Sequence, residues 1–213
     1  MVKQLFYFMI FAIPNMYCEA AVHTVKVVDQ EDNPVSNAVV AFYSKNASPT
    51  ADTNDIAVMD QVNKQFLPSV IAIQKSQKVK FPNSDDIRHH VYSFSPTKPF
   101  EIKLYKGSNV APILFDKPGI GTLGCNIHDN MVGHIYVSDG EVTRVTNAEG
   151  EATFDEAVPE RVAIWHKGLS IDGSLKVNVM LTEKDGIATA NVELVSKAPQ
   201  PSKRTFGSSR FGG

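Results

Sequence analysis

The sequence predicts an all-β fold made of two β-sandwiches. Short runs of β-branched and aromatic residues alternate with turns rich in Gly, Pro, Asn, Asp and Lys along almost the whole chain. No stretch shows the sustained 3.6-residue period of apolar residues that marks an amphipathic helix. With 213 residues, 43% of them hydrophobic, the chain is long enough for one or two small domains.

The first twenty residues are typical of a secretory signal peptide. Lys3 precedes the apolar run LFYFMIFAI, and a polar stretch follows that ends at the small residue Ala20. The run is too short to span a bilayer comfortably. We therefore expect cleavage after Ala20, a periplasmic protein and no membrane span in the mature chain. Cleavage would remove Cys18 and leave Cys125 as the only thiol, so that no internal disulfide is possible.

The remaining chain divides into runs that read as strands. In chain order, the predicted strands are 23–28, 37–43, 69–73, 78–81, 89–94, 100–105, 111–115, 119–125, 133–137, 151–154, 161–165, 175–181 and 188–194. The first two strands are too few to fold alone. We expect residues 21–48 and 141–196 to form one small sandwich, into which residues 58–139 are inserted as a second domain. Residues 197–213 are rich in Gly, Ser and Pro and predict a disordered basic tail.

The net charge of −2 is unevenly distributed. The tail after residue 196 contains basic side chains and no acidic ones. The rest of the chain is therefore weakly acidic. An acidic body argues against nucleic-acid binding as the main task.

The stretch CNIHDNM carries the strongest chemical signal. It holds Cys125, His128 and Met131 at three-residue spacing, in a loop between two predicted strands. Thiolate, imidazole and thioether together suit copper. A blue-copper site needs a second His from a separate strand, and His89 and His90 open the strand HHVYSF. A Cys with two or three His can also bind zinc. Non-redox binding or delivery of copper or zinc therefore remains an alternative function. A third alternative is an adhesion or scaffold protein without redox function.

Two further motifs predict no site. GIGTLG at 119–124 matches a dinucleotide-binding pattern, but a cysteine and a polar loop follow it instead of the required helix. The acids of the turn Ser84-Asp85-Asp86 are expected to be solvated.

The segment from Phe66 to Val137 resembles the cupredoxin family, the Greek-key β-sandwich fold of plastocyanin and amicyanin. FPNSDDIRHHVYSFS is similar to the strand with the first His ligand, and FDKPGIGTLGCNIHDNM is similar to the ligand strand and loop. Two departures are clear: Ile127 stands where a Pro usually precedes the loop His, and His90 stands where an Asn usually follows the first His.

This resemblance implies one type-1 copper held by His89, Cys125, His128 and Met131. The order of the motif selects His89. Strand parity places His90 on one face with Tyr92 and Phe94, which look core-directed, so His90 remains the alternative ligand. The implied function is transfer of single electrons between redox partner proteins. The edge of the His128 ring would pass these electrons to and from the partners. The implied protein is not an enzyme, because a type-1 site alone lacks the second copper centre that catalysis needs.

The whole chain is similar to periplasmic bacterial methylamine utilization proteins. These combine a cupredoxin with a β-sandwich that resembles the regulatory domain of carboxypeptidases. NPVSNAVV and TNAEGEATFDEAVPERVAIWH carry the similarity to that second module. Nothing in these residues recognises an amine.

Overall fold

A computed structural model of the chain describes residues 23–45, 55–184 and 186–195. All regular secondary structure in these ranges is β-strand, which confirms the predicted all-β class. The predicted signal peptide, residues 1–20, and the predicted tail, residues 197–213, lie outside the described residues. In the described part of the chain, no helix has the length and apolar character needed to cross a bilayer.

Eighteen strands follow one another along the described chain. The first nine are β1 His23–Val28, β2 Val39–Phe42, β3 Ile56–Val58, β4 Asp60–Val62, β5 Gln65–Leu67, β6 Val70–Gln74, β7 Lys78–Lys80, β8 His89–Ser93 and β9 Phe100–Tyr105. The others are β10 Ile113–Leu114, β11 Gly119–Cys125, β12 His128–Ser138, β13 Val142–Val145, β14 Glu151–Phe154, β15 Arg161–Trp165, β16 Lys176–Met180, β17 Thr182–Lys184 and β18 Ile187–Asn191.

Strands from the two ends of the described chain share sheets. Strand β1 lies between β14 and β18 in the sheet β14-β1-β18-β17, and β2 lies between β13 and β15 in the sheet β13-β2-β15-β16. The side chains between these sheets form a hydrophobic core that contains Val25, Val40, Phe154 and Ile164. We call it the flanking core.

The middle of the chain builds a separate core. The five-stranded sheet β6-β12-β11-β8-β9, here the central sheet, contributes Val91, Leu123 and Ile135 to it. Val79 on β7, together with large side chains such as Phe66, packs against them. We call this group the central core, and it contains both Cys125 and Met131.

A third cluster joins the two halves. In β15, Val162 and Ile164 belong to the flanking core, while Ala163 and Trp165 face the other way and pack with Tyr136 of β12. Because β2, β15 and the end of β12 are covered on both faces, they read as continuous apolar runs and not as alternating patterns.

Polar contacts reinforce this junction. The Tyr136 hydroxyl donates to the Glu141 carboxylate (2.8 Å), and the Lys176 ammonium lies 2.9 Å from the other oxygen of that carboxylate. Burial and the adjacent Glu141 charge raise the pKa of Tyr136 above its usual value. The Glu141 side chain is 7% exposed, so its charge is compensated inside the junction and not by water.

Candidate metal centre

His89 is brought into the central core by the alternation of strand β8. His89 and Val91 are fully buried and Ser93 is 1% exposed, so these residues share the inward face. The intervening residues point outward, and Phe94 beyond the strand is 84% exposed. The pairing with β9 is irregular between His89 and Val91.

The expectation that Tyr92 and Phe94 are core-directed is therefore wrong. Their rings lie 5.1 Å apart on the outer face, and the His90 ring lies 5.6 Å from Tyr92. The aromatic character of this face does not reflect burial in the core, because the inner face of β8 carries His89, Val91 and Ser93. His90 belongs to this outer row, where its Nε2 atom lies 2.8 Å from the Glu101 carboxylate.

Cys125 ends strand β11 at a break in the ladder. Gly124 is paired with Val132, but Cys125 is paired with His128, so the three residues 129–131 have no partner on β11. The loop predicted between the strands is thus a bulge within the start of β12. The bulge turns the side chains of His128 and Met131 toward the end of β11.

Gly124 allows a close approach of a neighbouring ring just before Cys125. A Cβ atom at this position would lie 2.7 Å from both Cζ and Oη of Tyr92. The Tyr92 ring therefore lies directly on the backbone next to Cys125, and no larger residue fits at position 124 without a shift of that ring.

Three side chains converge at the end of the central core. The Nδ1 atom of His89 lies 3.8 Å from the Cys125 sulfur, and the Nδ1 atom of His128 lies 3.7 Å from the same sulfur. The ligand atoms of the three residues all lie within 4.8 Å of one another. No other trio of His, Cys, Asp or Glu side chains among the described residues converges in this way.

The fourth predicted ligand, Met131, is placed in the same core. Its side chain is 1% exposed and packs in the central core that contains Cys125, which is 4% exposed. His90 is not part of the convergent group, and its outward ring contacts Glu101 and Tyr92.

Exposure differs between the two convergent histidines. His89 is fully buried, whereas His128 is only partly buried. Two apolar side chains beside the site, Ile127 and Val132, are 50% and 45% exposed. Only the His128 side of the group therefore faces solvent.

Asp85 is a contact of the convergent group that the sequence did not reveal. Its Oδ2 atom lies 2.6 Å from Nε2 of His89, and its oxygens accept the backbone N–H groups of Asn63 (2.6 Å) and Lys64 (2.9 Å). The expectation that this acid is solvated is wrong, since its side chain is 11% exposed. Its spacing of four residues before His89 was the available signal, but the hairpin that holds it could not be foreseen.

The carboxylate form of Asp85 is favoured by these contacts. Burial raises the pKa of the carboxyl group, but the hydrogen bonds from Lys64, His89 and Asn63 outweigh it, and the pKa lies below its usual value. An ionised Asp85 accepts the Nε2–H proton of His89. This leaves Nδ1 unprotonated toward the cysteine, as a metal ligand must be.

Among known proteins, the chain is similar to solved structures only. The sequence matches no protein-family model and no curated protein. A reduced amicyanin variant is 18% identical with a TM-score of 0.35, and the match covers 46% of this chain and 98% of that one. A purple cupredoxin from Nitrosopumilus maritimus is 19% identical with a TM-score of 0.35, covering 40% of this chain and all of that one.

An enzyme is also among the similar structures. A copper-containing nitrite reductase from Thermus scotoductus is 23% identical with a TM-score of 0.38, and the match covers 53% of this chain but 28% of that one. These similar structures include cupredoxins and a larger copper enzyme, at low identity over about half of this chain. We base the functional conclusion on the contacts of His89, Cys125 and His128.

Proposed function

We propose that the protein is a type-1 copper protein that carries single electrons between redox partner proteins. His89, Cys125, His128 and Met131 would hold one copper ion. The observation that carries this proposal is the position of the Cys125 sulfur, which lies 3.8 and 3.7 Å from the Nδ1 atoms of two histidines on separate strands.

The chemistry of the donor set fits copper. Two imidazole nitrogens, a thiolate and a buried thioether are soft or borderline ligands, and this combination is the one that blue-copper sites use. Cys125 is a free, buried cysteine. A bound copper ion would supply reversible one-electron chemistry between its +1 and +2 states.

The protein contributes a fixed set of ligands. His89 is held from behind by Asp85, which is itself held by two backbone N–H groups. Cys125 and Met131 are packed in the central core, so neither side chain has room to rearrange. Ligands that stay in place during a change of charge lower the reorganisation that electron transfer requires.

Electrons would be exchanged at the His128 side. His128 is the partly exposed member of the group, and Ile127 and Val132 present apolar surface beside it. A partner that docks there would bring its own redox centre close to a ligand of the metal. We propose no catalysed reaction for the protein, because a type-1 site alone lacks the second copper centre that catalysis needs.

The setting of this function is also proposed. The N-terminal pattern of residues 1–20 supports export to the periplasm, and a second sandwich from 21–48 and 141–196 would flank the copper domain at 58–139. The sharing of sheets between β1, β14 and β18 supports this division. A role in methylamine utilization rests on the resemblance of the sequence and has no support from the site.

Metal content and colour test the proposal. We expect the purified chain to bind one copper ion with a strong thiolate-to-copper absorption band, and we expect Cys125→Ser to lose the band. The matched control is Ser93→Ala, which alters a buried polar side chain of the same sheet outside the convergent group. A colourless protein that prefers zinc would favour the non-redox alternative, and the absence of any stoichiometric metal would refute both.

A further inference from the structure

A small cavity lies at the junction of the two halves, next to the segment of β12 that carries Met131. Its volume is about 220 Å³, which accommodates several water-sized groups. Strand β12 contributes Asn130 and His134, and the segment after β15 contributes His166 and Lys167. The polar lining is completed by Ser36 and Asn37 in the turn before β2 and by Ser69 before β6. Among the described residues, no carboxylate lines the cavity.

His166 presents a hydrogen-bond donor. The backbone N–H of Gly168 donates to the Nδ1 atom of His166 at 3.1 Å. In a neutral imidazole one nitrogen accepts and the other carries the proton. The proton of His166 is therefore on Nε2, which has no hydrogen-bond partner among the described residues.

His134 is a buried ring with one nitrogen unused. The residue is 8% exposed, and its ring lies 5.3 Å from the Trp165 ring. Its Nδ1 atom lies 3.4 Å from the Thr122 hydroxyl oxygen, while Nε2 has no partner within the described chain. Because His134 lines the cavity, this nitrogen is available to a ligand bound there.

The electrostatics of the cavity favour an anion over a metal ion. Burial lowers the pKa of both histidines, and the nearby Lys167 ammonium lowers it further. A cation would be repelled by that ammonium and would find no carboxylate to compensate its charge. An anion would instead meet the ammonium, the Nε2–H of His166 and the side-chain donors of Asn37 and Asn130.

We propose that this cavity binds a small oxyanion of the phosphate or carboxylate class, held by Lys167, His166 and His134. The Lys167 ammonium supplies the opposite charge, and it forms no ion pair with any described residue. The junction of the two halves thereby acquires a binding role of its own, which depends on neither copper nor the redox proposal.

Titration of the full chain with inorganic phosphate and with acetate tests the site. Trp165 is the only tryptophan, and its ring lies beside His134, so its fluorescence reports occupancy. We expect saturable binding of at least one of the two anions, with heat released at one site per chain. Phosphate alone would indicate a tetrahedral ligand, and acetate alone would indicate a carboxylate.

The variant Lys167→Met should weaken this binding about tenfold or more, the loss expected for a charge-assisted hydrogen bond. Lys75→Met is the matched control, because Lys75 pairs with Asp139 on the surface and does not line the cavity. The proposal would be overturned by unsaturable binding of both anions, by equal losses in the two variants, or by zinc binding that His166→Phe abolishes.

Discussion

The Nε2 atom of His89 lies 2.6 Å from the Asp85 carboxylate, while the Nδ1 atom of the same ring faces the Cys125 sulfur at 3.8 Å. The His89 ring thus connects the Asp85 carboxylate to Cys125. The carboxylate decides which nitrogen of His89 carries the proton and holds the ring in its orientation.

Replacing Asp85 should weaken metal binding without removing a ligand. In Asp85→Asn the acceptor is neutral and the amide can also donate, so the tautomer of His89 is no longer fixed. We expect copper(I) affinity to fall about 10- to 100-fold, measured by competition with a chromophoric chelator. Asp86→Asn is the control, since Asp86 is the exposed neighbour in the same turn. Equal affinities for the Asp85 and Asp86 variants would contradict this role.

The two adjacent histidines should behave differently. His89→Ala removes a buried nitrogen that faces Cys125, so the thiolate-to-copper band should be lost. His90→Ala removes only outer contacts with Glu101 and Tyr92, so the band should persist. Absorption spectra of both copper-loaded variants provide the measurement, and retention of the blue band in His89→Ala would refute the assignment.

The glycine before Cys125 should tolerate no side chain. Gly124→Ala would push a Cβ atom against Tyr92 at 2.7 Å and should destabilise the protein by about 1–3 kcal/mol. At Gly121 the nearest atom to an added Cβ is an ordinary 3.5 Å away, so Gly121→Ala should cost clearly less. Denaturant unfolding measures both values. Adding Tyr92→Ala to Gly124→Ala should relieve the clash, and simple additivity of the two changes would contradict it.

Stability should fall as the pH drops below neutral. Burial, followed by the charges of Lys167 and His166, lowers the pKa of His134 to about 4 from 6.5. Between these values the unfolded chain binds the proton and the folded chain does not, so the free energy of unfolding decreases from pH 6.5 toward pH 4. The contribution is at most about 3 kcal/mol.

Urea unfolding in phosphate-free buffers from pH 7 to pH 4 measures this effect. The variant His134→Gln should show a shallower decline, with a remaining slope from His166, whose pKa is also lowered. Parallel curves for the two proteins would show that His134 does not titrate in this way.

Strands with strong apolar character could be predicted from the sequence, but short polar ones could not. Strands β1, β9, β14 and β15 were predicted with their observed bounds. Strand β17 was missed because its three residues are all exposed, and only its pairing with β18 makes it a strand. Its local sequence carries no alternation that distinguishes it from a loop.

The Cys-His-Met motif could be predicted from the sequence for a related reason. Cys125, His128 and Met131 lie close in sequence, so the predicted strands on either side of them were enough to indicate a shared loop. Asp85 contacts His89 because the turn between β4 and β5 donates two backbone N–H groups to it. That hairpin consists of two three-residue strands, and no local pattern indicated it. The facing direction of His90 likewise depended on which face of β8 the core occupies.

Reversible reduction of the copper-loaded protein tests the central claim most directly. The thiolate-to-copper band should be followed while a one-electron reductant and then an oxidant are added. We predict that one electron per protein bleaches the band and that reoxidation restores it completely over repeated cycles, because Asp85 and the central core hold the ligands in place. A band that fails to bleach, or that is lost irreversibly with release of the metal, would contradict the assignment as an electron carrier.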